Sequence, residues 1–397
     1  MQISKIVMVA GMAGGAAAAR RFAMYYDQWH TASPSKDITA GITHVITAFA
    51  DPLSFTTDPA GPYTPFVDSS GLRASFDEGT KMCLAIGGWG YTAGFSAGQK
   101  TEETRALFAK NVAATLEAHG YDCVDIDWEY PGGNGNDYKT NPNSGKVDEI
   151  DGYPLLLKVI KDAIGDKELS IAVPGLERDF IAFTPEKVPA INDAVDVVNV
   201  MTYDLMNRYS IVFAVQGSLN AVEKYIELGM DAAKMNLGIA FYAKYFETVQ
   251  ECTKPVGCET AVLEDANGLD TGRSGAKTFL EGVSVLANGQ ADQTEGGQWY
   301  WDPSTSYFWT WDTPEFVAQK FDTIVKAKGL GGIMGWSLGE DSADYAYIKA
   351  MRAGLQKLDM KTLHMPHDVT DVLTLVSVSI AFCKVVLAEP SAVTEYP

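Results

Sequence analysis

The residues best able to do chemistry lie in one run, Tyr121-Asp122-Cys123-Val124-Asp125-Ile126-Asp127-Trp128-Glu129-Tyr130-Pro131. Alternate side chains of a strand share a face, so Asp125, Asp127 and Glu129 project together while Val124, Ile126 and Trp128 face the other way, toward helices. Like charges a few ångströms apart cannot all ionise, so the trio must share protons, and at least one member should stay protonated near neutral pH. Glu129, last in the run, is the natural proton donor to a leaving-group oxygen; Asp127 can orient a neighbouring polar group, with Asp125 holding a shared proton behind it. The apolar residues between the acids argue against a solvated edge. A Mg2+ or Ca2+ site would need more oxygen ligands than the run supplies, and His364 and His367 are only a pair near the end, so no metal is expected.

Such an acidic strand needs a frame to aim it inward. Short runs rich in β-branched and aromatic residues recur at Phe22 to Tyr26, Thr43 to Phe49, Lys81 to Ile86, Cys123 to Asp127, Leu169 to Val173, Val195 to Met201, Met235 to Tyr242 and Gly331 to Trp336. Eight such runs separated by helix-like stretches predict an α/β fold, a closed (β/α)8 TIM barrel. The helices carry readable ends: Thr101 ahead of Glu102 and Glu103, and Thr313 ahead of Pro314 with Gly329 beyond the end. About ninety residues separate the seventh and eighth runs, far more than a usual βα connection. Their aromatic content, Gln298-Trp299-Tyr300-Trp301 and Tyr307-Phe308-Trp309, predicts a small α+β insertion domain. The organisation read along the chain is a secretory leader over 1–19, barrel strands one to seven over 20–245, the insertion over 246–310, completion of the barrel with strand eight over 311–360, and a poorly packed tail over 361–397.

The chain has 397 residues, 46% of them apolar, and a formal charge of −20, which repels nucleic acid phosphates and anionic membrane surfaces. Lys5 precedes an apolar stretch that ends in Ala17-Ala18-Ala19, the pattern of an export signal, so a secreted, extracellular protein is expected. Cys252 and Cys258 stand in a short polar loop where a bridge is expected in an oxidising compartment. Cys83 and Cys123 lie in apolar strand-like runs, where buried free thiols are expected, and Cys383 is left over in the tail.

Asp122-x-x-Asp125-x-Asp127-x-Glu129, followed by Tyr130-Pro131, resembles the D-x-x-D-x-D-x-E signature of glycoside hydrolase family 18. Ala85-Ile86-Gly87-Gly88-Trp89 resembles that family's S-x-G-G segment, Met201-Thr202-Tyr203-Asp204 its M-x-Y-D, and Gly332 to Ser337 its eighth strand with a tryptophan. The segment Gly238 to Phe246 and the insertion after it further resemble chitinases of ascomycete fungi. The resemblance implies no cofactor, chitin or chitooligosaccharides as substrate, and a monomer with no nucleic-acid or membrane partner. It also implies hydrolysis with retention through the substrate's own acetamido group, an exception to the two-carboxylate scheme. In this substrate-assisted route Glu129 would protonate the departing oxygen, Asp127 would hold the acetamido N–H, Asp125 would hold a shared proton behind it, and Tyr203 would bind the acetamido carbonyl. Trp336 would floor the site, with Tyr25, Phe49, Tyr130, Met201, Asp204 and Tyr242 around it and Trp29 and Trp89 extending the cleft. Alternatives on the same resemblance are a catalytically weak chitin-binding lectin and an endo-β-N-acetylglucosaminidase acting on N-glycans.

Two departures from the family pattern stand out. Ala85 replaces the serine of S-x-G-G, which removes a hydroxyl from beside the acids. From Asn207 to Gly217 a largely apolar loop replaces a polar, histidine-containing one and is expected to border the site.

Overall fold

The alternation of β-branched runs with amphipathic stretches folds into a closed barrel in the computed structural model, which describes residues 20–205 and 214–363. The expected leader at 1–19, position 206 with positions 207–213 of the expected apolar loop, and the tail from 364 lie outside the described residues. The chain to Leu355 forms one compact unit; of the second unit, from Gln356, the described part is the end of the helix Ala346–Leu363.

Eight parallel strands make the barrel: β1 (Arg21–Asp27), β2 (His44–Ala50), β3 (Lys81–Gly87), β4 (Cys123–Asp127), β5 (Glu168–Pro174), β6 (Val197–Met201), β7 (Met235–Ala240) and, beyond an insertion, β13 (Gly332–Trp336). They pair in the order β1-β13-β7-β6-β5-β4-β3-β2. Period-two alternation sends small residues inward, so that Ala23, Ala48, Cys83, Ala85, Cys123 and Ala172 pack in one interior cluster with Tyr25 and Met334. The opposite faces bury large residues against helices. Trp128, 1% exposed, stacks on Phe95 at 5.2 Å and meets the edge of Tyr153 at 5.7 Å.

The helices around the barrel end where local chemistry dictates. Glu102–His119 opens on Thr101, whose hydroxyl accepts from Thr104 N–H, carries Glu102 and Glu103 at its positive end, and stops at Gly120 in the left-handed region. Phe108, Val112 and Leu116, four apart, are its buried stripe. Pro314–Lys320 opens on Thr313 in the same manner and continues into a π-helical turn, Phe321–Lys326.

The run expected to form one strand from Met235 to Tyr242 is broken. β7 ends at Ala240, and Phe241 joins two sheets: its N–H donates to the Trp336 carbonyl at 2.7 Å, and its carbonyl accepts from Phe279 N–H at 3.1 Å. Tyr242 therefore opens the insertion, whose strands are β8 (Tyr242–Glu247), β9 (Ser274–Thr278), β10 (Gln290–Asp292), β11 (Gly297–Asp302) and β12 (Tyr307–Trp311). They pair antiparallel in the order β10-β11-β12-β8-β9. A satellite core of Trp299 stacked on Phe308 at 5.8 Å, with Cys252 beneath, holds this sheet, and Cys252 is bridged to Cys258. Ala214 to Gly217, expected in the apolar loop, form the first turn of the helix Ala214–Glu227. Val215 and Gln216 donate their N–H groups to the carbonyls of Gly296 and Glu295, both at 3.1 Å, which supplies the orphan donors of a helix start with partners from the insertion.

Cys83 and Cys123, expected as free thiols, form a disulfide. Their separation of 40 positions conceals a direct register pairing of β3 with β4, which places Cys83 opposite Cys123 with both side chains inside the barrel. Closing a loop of this length restricts the unfolded chain by an amount equivalent to about 4 kcal/mol in the chain-entropy treatment. Alkylation and mass spectrometry of a non-reduced digest should find Cys83 linked to Cys123 and Cys252 to Cys258. The Cys83→Ala/Cys123→Ala protein should lose roughly 2–4 kcal/mol of unfolding free energy in urea, whereas unchanged stability would show that β3 and β4 are held without the bridge.

Candidate active site

The strand ends at the C-terminal mouth of the barrel open on one cleft of about 810 Å3. Of the expected site residues, Trp29, Phe49, Trp89, Asp127, Glu129, Tyr130, Met201, Tyr203, Asp204, Tyr242 and Trp336 line it, and Tyr25 and Asp125 lie buried beneath. The structure thus gathers all thirteen, from six barrel strands, their loops and the start of the insertion.

The acids descend from mouth to interior. Glu129 follows the last residue of β4 by two positions, Asp127 is 3% exposed, and Asp125 is fully buried. Asp125 sits among donors: Tyr25 Oη donates to its Oδ2 at 2.6 Å, and Ser170 Oγ and Asn199 Nδ2 donate to its Oδ1 at 2.5 and 3.2 Å. Burial pushes its pKa up, and these three donors pull it back. Asp127 is treated differently. Its Oδ1 is buried and hydrogen-bonds to none of the described residues, and burial, then Glu129 and Asp125, push its pKa well up. Burial also pushes Glu129 up to about 7, against a hydrogen bond from Tyr130 and with help from Asp204 and Asp179. Around neutral pH the cleft therefore holds a carboxylic acid at its mouth, able to donate a proton.

A floor and walls of rings surround the acids. Trp336 lies parallel to Phe49 at 5.6 Å and tilts against Tyr25 at 5.4 Å; Trp29 meets Phe49 at 6.3 Å, and Trp89 meets Tyr130 at 6.3 Å. Trp29 and Trp89 are 60% and 50% exposed, so their faces are open to a ligand. Gly87 lets β3 close on β4: at φ +112 it has no side chain, and a Cβ there would stand 2.1 Å from the Asp127 carbonyl oxygen. On the other flank, Tyr242 Oη and Lys244 Nζ from β8 hold the two oxygens of Asp204 at 2.9 and 3.0 Å, beside Tyr203.

Several cleft residues escaped the sequence reading. Ser170 and Asn199 were concealed because their partner in space, Asp125, is 45 and 74 positions away in sequence; strand alternation places both inside the barrel, and that signal could have found them. Asp179, in a 3-10 turn after β5, accepts from Asn134 Nδ2 at 3.0 Å. The loop after β4 also crosses to the insertion, where Tyr138 Oη donates to Glu264 at 2.6 Å and Lys139 Nζ to the Asp265 carbonyl at 2.6 Å, closing one side of the cleft. Neither half of that contact has a local pattern.

The profile of the family described as Glycosyl hydrolases family 18 matches residues 21–341. Endochitinase 1 of Metarhizium robertsii is 30% identical over 279 residues, covering 66% of this chain and 62% of that protein. Chitinase 1 of Aphanocladium album is 24% identical over 365 residues, covering 79% of this chain and 80% of that protein. The chain thus spans 62% of the length of the Metarhizium relative, and no more of several others. Among solved structures, a chitinase from Rhizomucor miehei superposes with a TM-score of 0.69 at 20% identity, over 84% of this chain and all of that one, a likeness of fold. With a family profile that runs from the first barrel strand to just past the last, over the whole of the cleft-bearing barrel, this chain belongs to glycosyl hydrolase family 18.

Proposed function

We propose that the protein hydrolyses β-1,4 linkages between N-acetylglucosamine units of chitin and chitooligosaccharides, with retention at the anomeric carbon. The observation that carries this reading is the placement of Glu129 above the carboxyls of Asp127 and Asp125, at the centre of an aromatic cleft, with burial raising its hold on a proton. Sugar rings present apolar C–H faces that suit Trp336, Trp29 and Trp89, and the cleft's bound acids suit a neutral polymer rather than an anionic one.

In the first step the substrate's acetamido oxygen attacks the anomeric carbon, the glycosidic C–O bond breaks, and Glu129 gives its proton to the departing oxygen. Asp127 accepts a hydrogen bond from the acetamido N–H, and the negative charge that it shares with Asp125 offsets the positive charge of the resulting oxazolinium ring. Tyr203 donates its hydroxyl hydrogen to the acetamido oxygen, and burial keeps that phenol protonated throughout. In the second step Glu129, now a carboxylate, takes a proton from water as the water oxygen bonds to the anomeric carbon and the bond from that carbon to the acetamido oxygen breaks, which restores the acetamido group. Two displacements restore the original configuration.

We also infer an extracellular site of action. Support comes from two disulfides, Cys83–Cys123 and Cys252–Cys258, which persist in oxidising compartments. No helix among the described residues is long and apolar enough to cross a membrane.

Incubation with chitin hexasaccharide tests the assignment: shorter oligomers should appear, the first-formed product should be the β-anomer, and an α-anomer would exclude a double displacement. Glu129→Gln should reduce turnover by about 10²- to 10⁴-fold while sparing sugar binding, since the amide keeps the shape and loses the proton. Because the first step needs Glu129 protonated and its pKa lies at about 7, kcat should fall as pH rises through about 7. A plateau extending to pH 9 would show that another group donates the proton.

A further inference from the structure

Asp125 is the deepest of the three acids, and a row of side-chain hydrogen bonds leads from it across the barrel interior. Asn199 Nδ2 donates to Asp125, Asn236 Nδ2 donates to Asn199 Oδ1 at 2.9 Å, and Arg21 Nε donates to Asn236 Oδ1 at 2.9 Å. The strands' register explains the row. Asn199 pairs with Asn236, Asn236 with Gly332, and Gly332 with Arg21, so that four neighbouring strands contribute one rung. Gly332 is the gap that lets the guanidinium reach across: a Cβ there would stand 2.6 Å from Asn236 Oδ1 and 2.7 Å from Arg21 Cβ. Every hydrogen in the row points from the cation toward Asp125, and each amide passes on the polarisation.

Asp125 has two register neighbours on its own rung, Ala85 on β3 and Ser170 on β5. Ala85 cannot donate, and Ser170 does, at 2.5 Å. Asp127 above has no comparable supply, since its buried Oδ1 bonds to none of the described residues. A buried carboxylate is tolerated where donors converge on it, and a proton goes to the carboxyl that lacks them.

We propose that the row Arg21–Asn236–Asn199, together with Ser170, holds Asp125 as the carboxylate and so leaves to Asp127 the proton that the two aspartates would otherwise share. Ser170 supplies from β5 the hydroxyl that Ala85 lacks on β3. Arg21, Asn236, Asn199 and Ser170 are positioning residues; none of them touches substrate. The pair then carries one negative charge at its deep end, opposite in sign to the charge developed on the reacting sugar. Other titratable groups facing Asp125 are Tyr25 from β1, Asp127 on its own strand and Tyr203 after β6, with Tyr153 of the helix Val147–Ile164 behind β4 on the outer side, and burial first keeps all three phenols protonated.

The inference rests on the hydrolytic reading, and its test separates the two. Removing a donor from a required carboxylate raises its pKa, so activity is lost at a higher pH as pH falls. Ser170→Ala should move the acid limb of kcat/KM upward by about one pH unit, leaving the basic limb near 7. Ala85→Ser/Ser170→Ala, which returns a hydroxyl to the rung from the opposite neighbour, should bring the limb back. Arg21→Met should shift it the same way by less, and this change at the barrel's foot keeps the test available if the buried variants do not fold. A purely structural role would lower the melting temperature without moving the limb. An unmoved limb in both Ser170→Ala and Arg21→Met, or a swapped variant that stays with the single one, overturns the proposal. If the parent protein hydrolyses no hexasaccharide the functional reading fails instead, and the row is then judged by 13C NMR of aspartate carboxyls. Asp125 should protonate at a higher pH in Ser170→Ala than in the parent, and identical titrations would overturn the proposal.

Discussion

Burying carboxyls is the constraint on which the rest of this structure depends. Taking even one charged carboxylate out of water is expensive unless donors replace the lost hydration, and β4 with the residues just after it carries Asp125, Asp127 and Glu129 toward the barrel's interior and mouth. The fold meets the cost unevenly. Donors from β1, β5 and β6 converge on Asp125, while Asp127 and Glu129 are left with few partners and correspondingly raised affinity for protons. The gradient follows depth: the most buried acid is the best solvated by protein, and the acid at the mouth is the one poised to release a proton.

Much of the barrel and its cleft is legible in the sequence because both depend on period and local chemistry. The eight β-branched runs, the Thr101 and Thr313 caps, and the inward set Asp125, Asp127 and Glu129 follow from alternation of side chains and from the needs of helix ends. Relations between strands are less accessible. That Cys83 faces Cys123, that Ser170 and Ala85 flank Asp125, and that Arg21 shares a rung with Asn199 are matters of register, which no stretch of chain declares by itself. The strand boundary at Phe241 is hidden for a related reason: its apolar neighbours read as continuous strand, and only the two backbone hydrogen bonds to Trp336 and Phe279 show where one sheet yields to another.

The cleft's outer walls are built on a different principle from its floor. Trp336, Phe49 and Tyr25 are packed against one another and fixed by the barrel, whereas the contact of Tyr138 and Lys139 with Glu264 and Asp265 joins two surface loops through exposed polar groups. Ion pairs and hydrogen bonds of that kind contribute little at the surface. On the hydrolytic reading, the floor is the part of the cleft that fixes geometry, and the wall contributes less to it. The loop after β4 is nevertheless anchored at its base, where the nearly buried Lys146 pairs with Asp137 at 2.5 Å and Asn134 and Asn143 are hydrogen-bonded to each other.

The inserted sheet begins within one residue of β7, and its first strand reaches back to hold Asp204 through Tyr242 and Lys244. Phe241, at the seam, is bonded to both sheets. No single cut in the chain separates a catalytic half from an accessory half, because the hinge between them is itself part of the wall around the reacting groups. Insertions of this kind cannot be shuffled between barrels as cargo: a transplanted sheet brings its own Tyr242 and Lys244 equivalents into the recipient's chemistry, and a barrel shorn of its sheet loses the grip on an acid it already possesses.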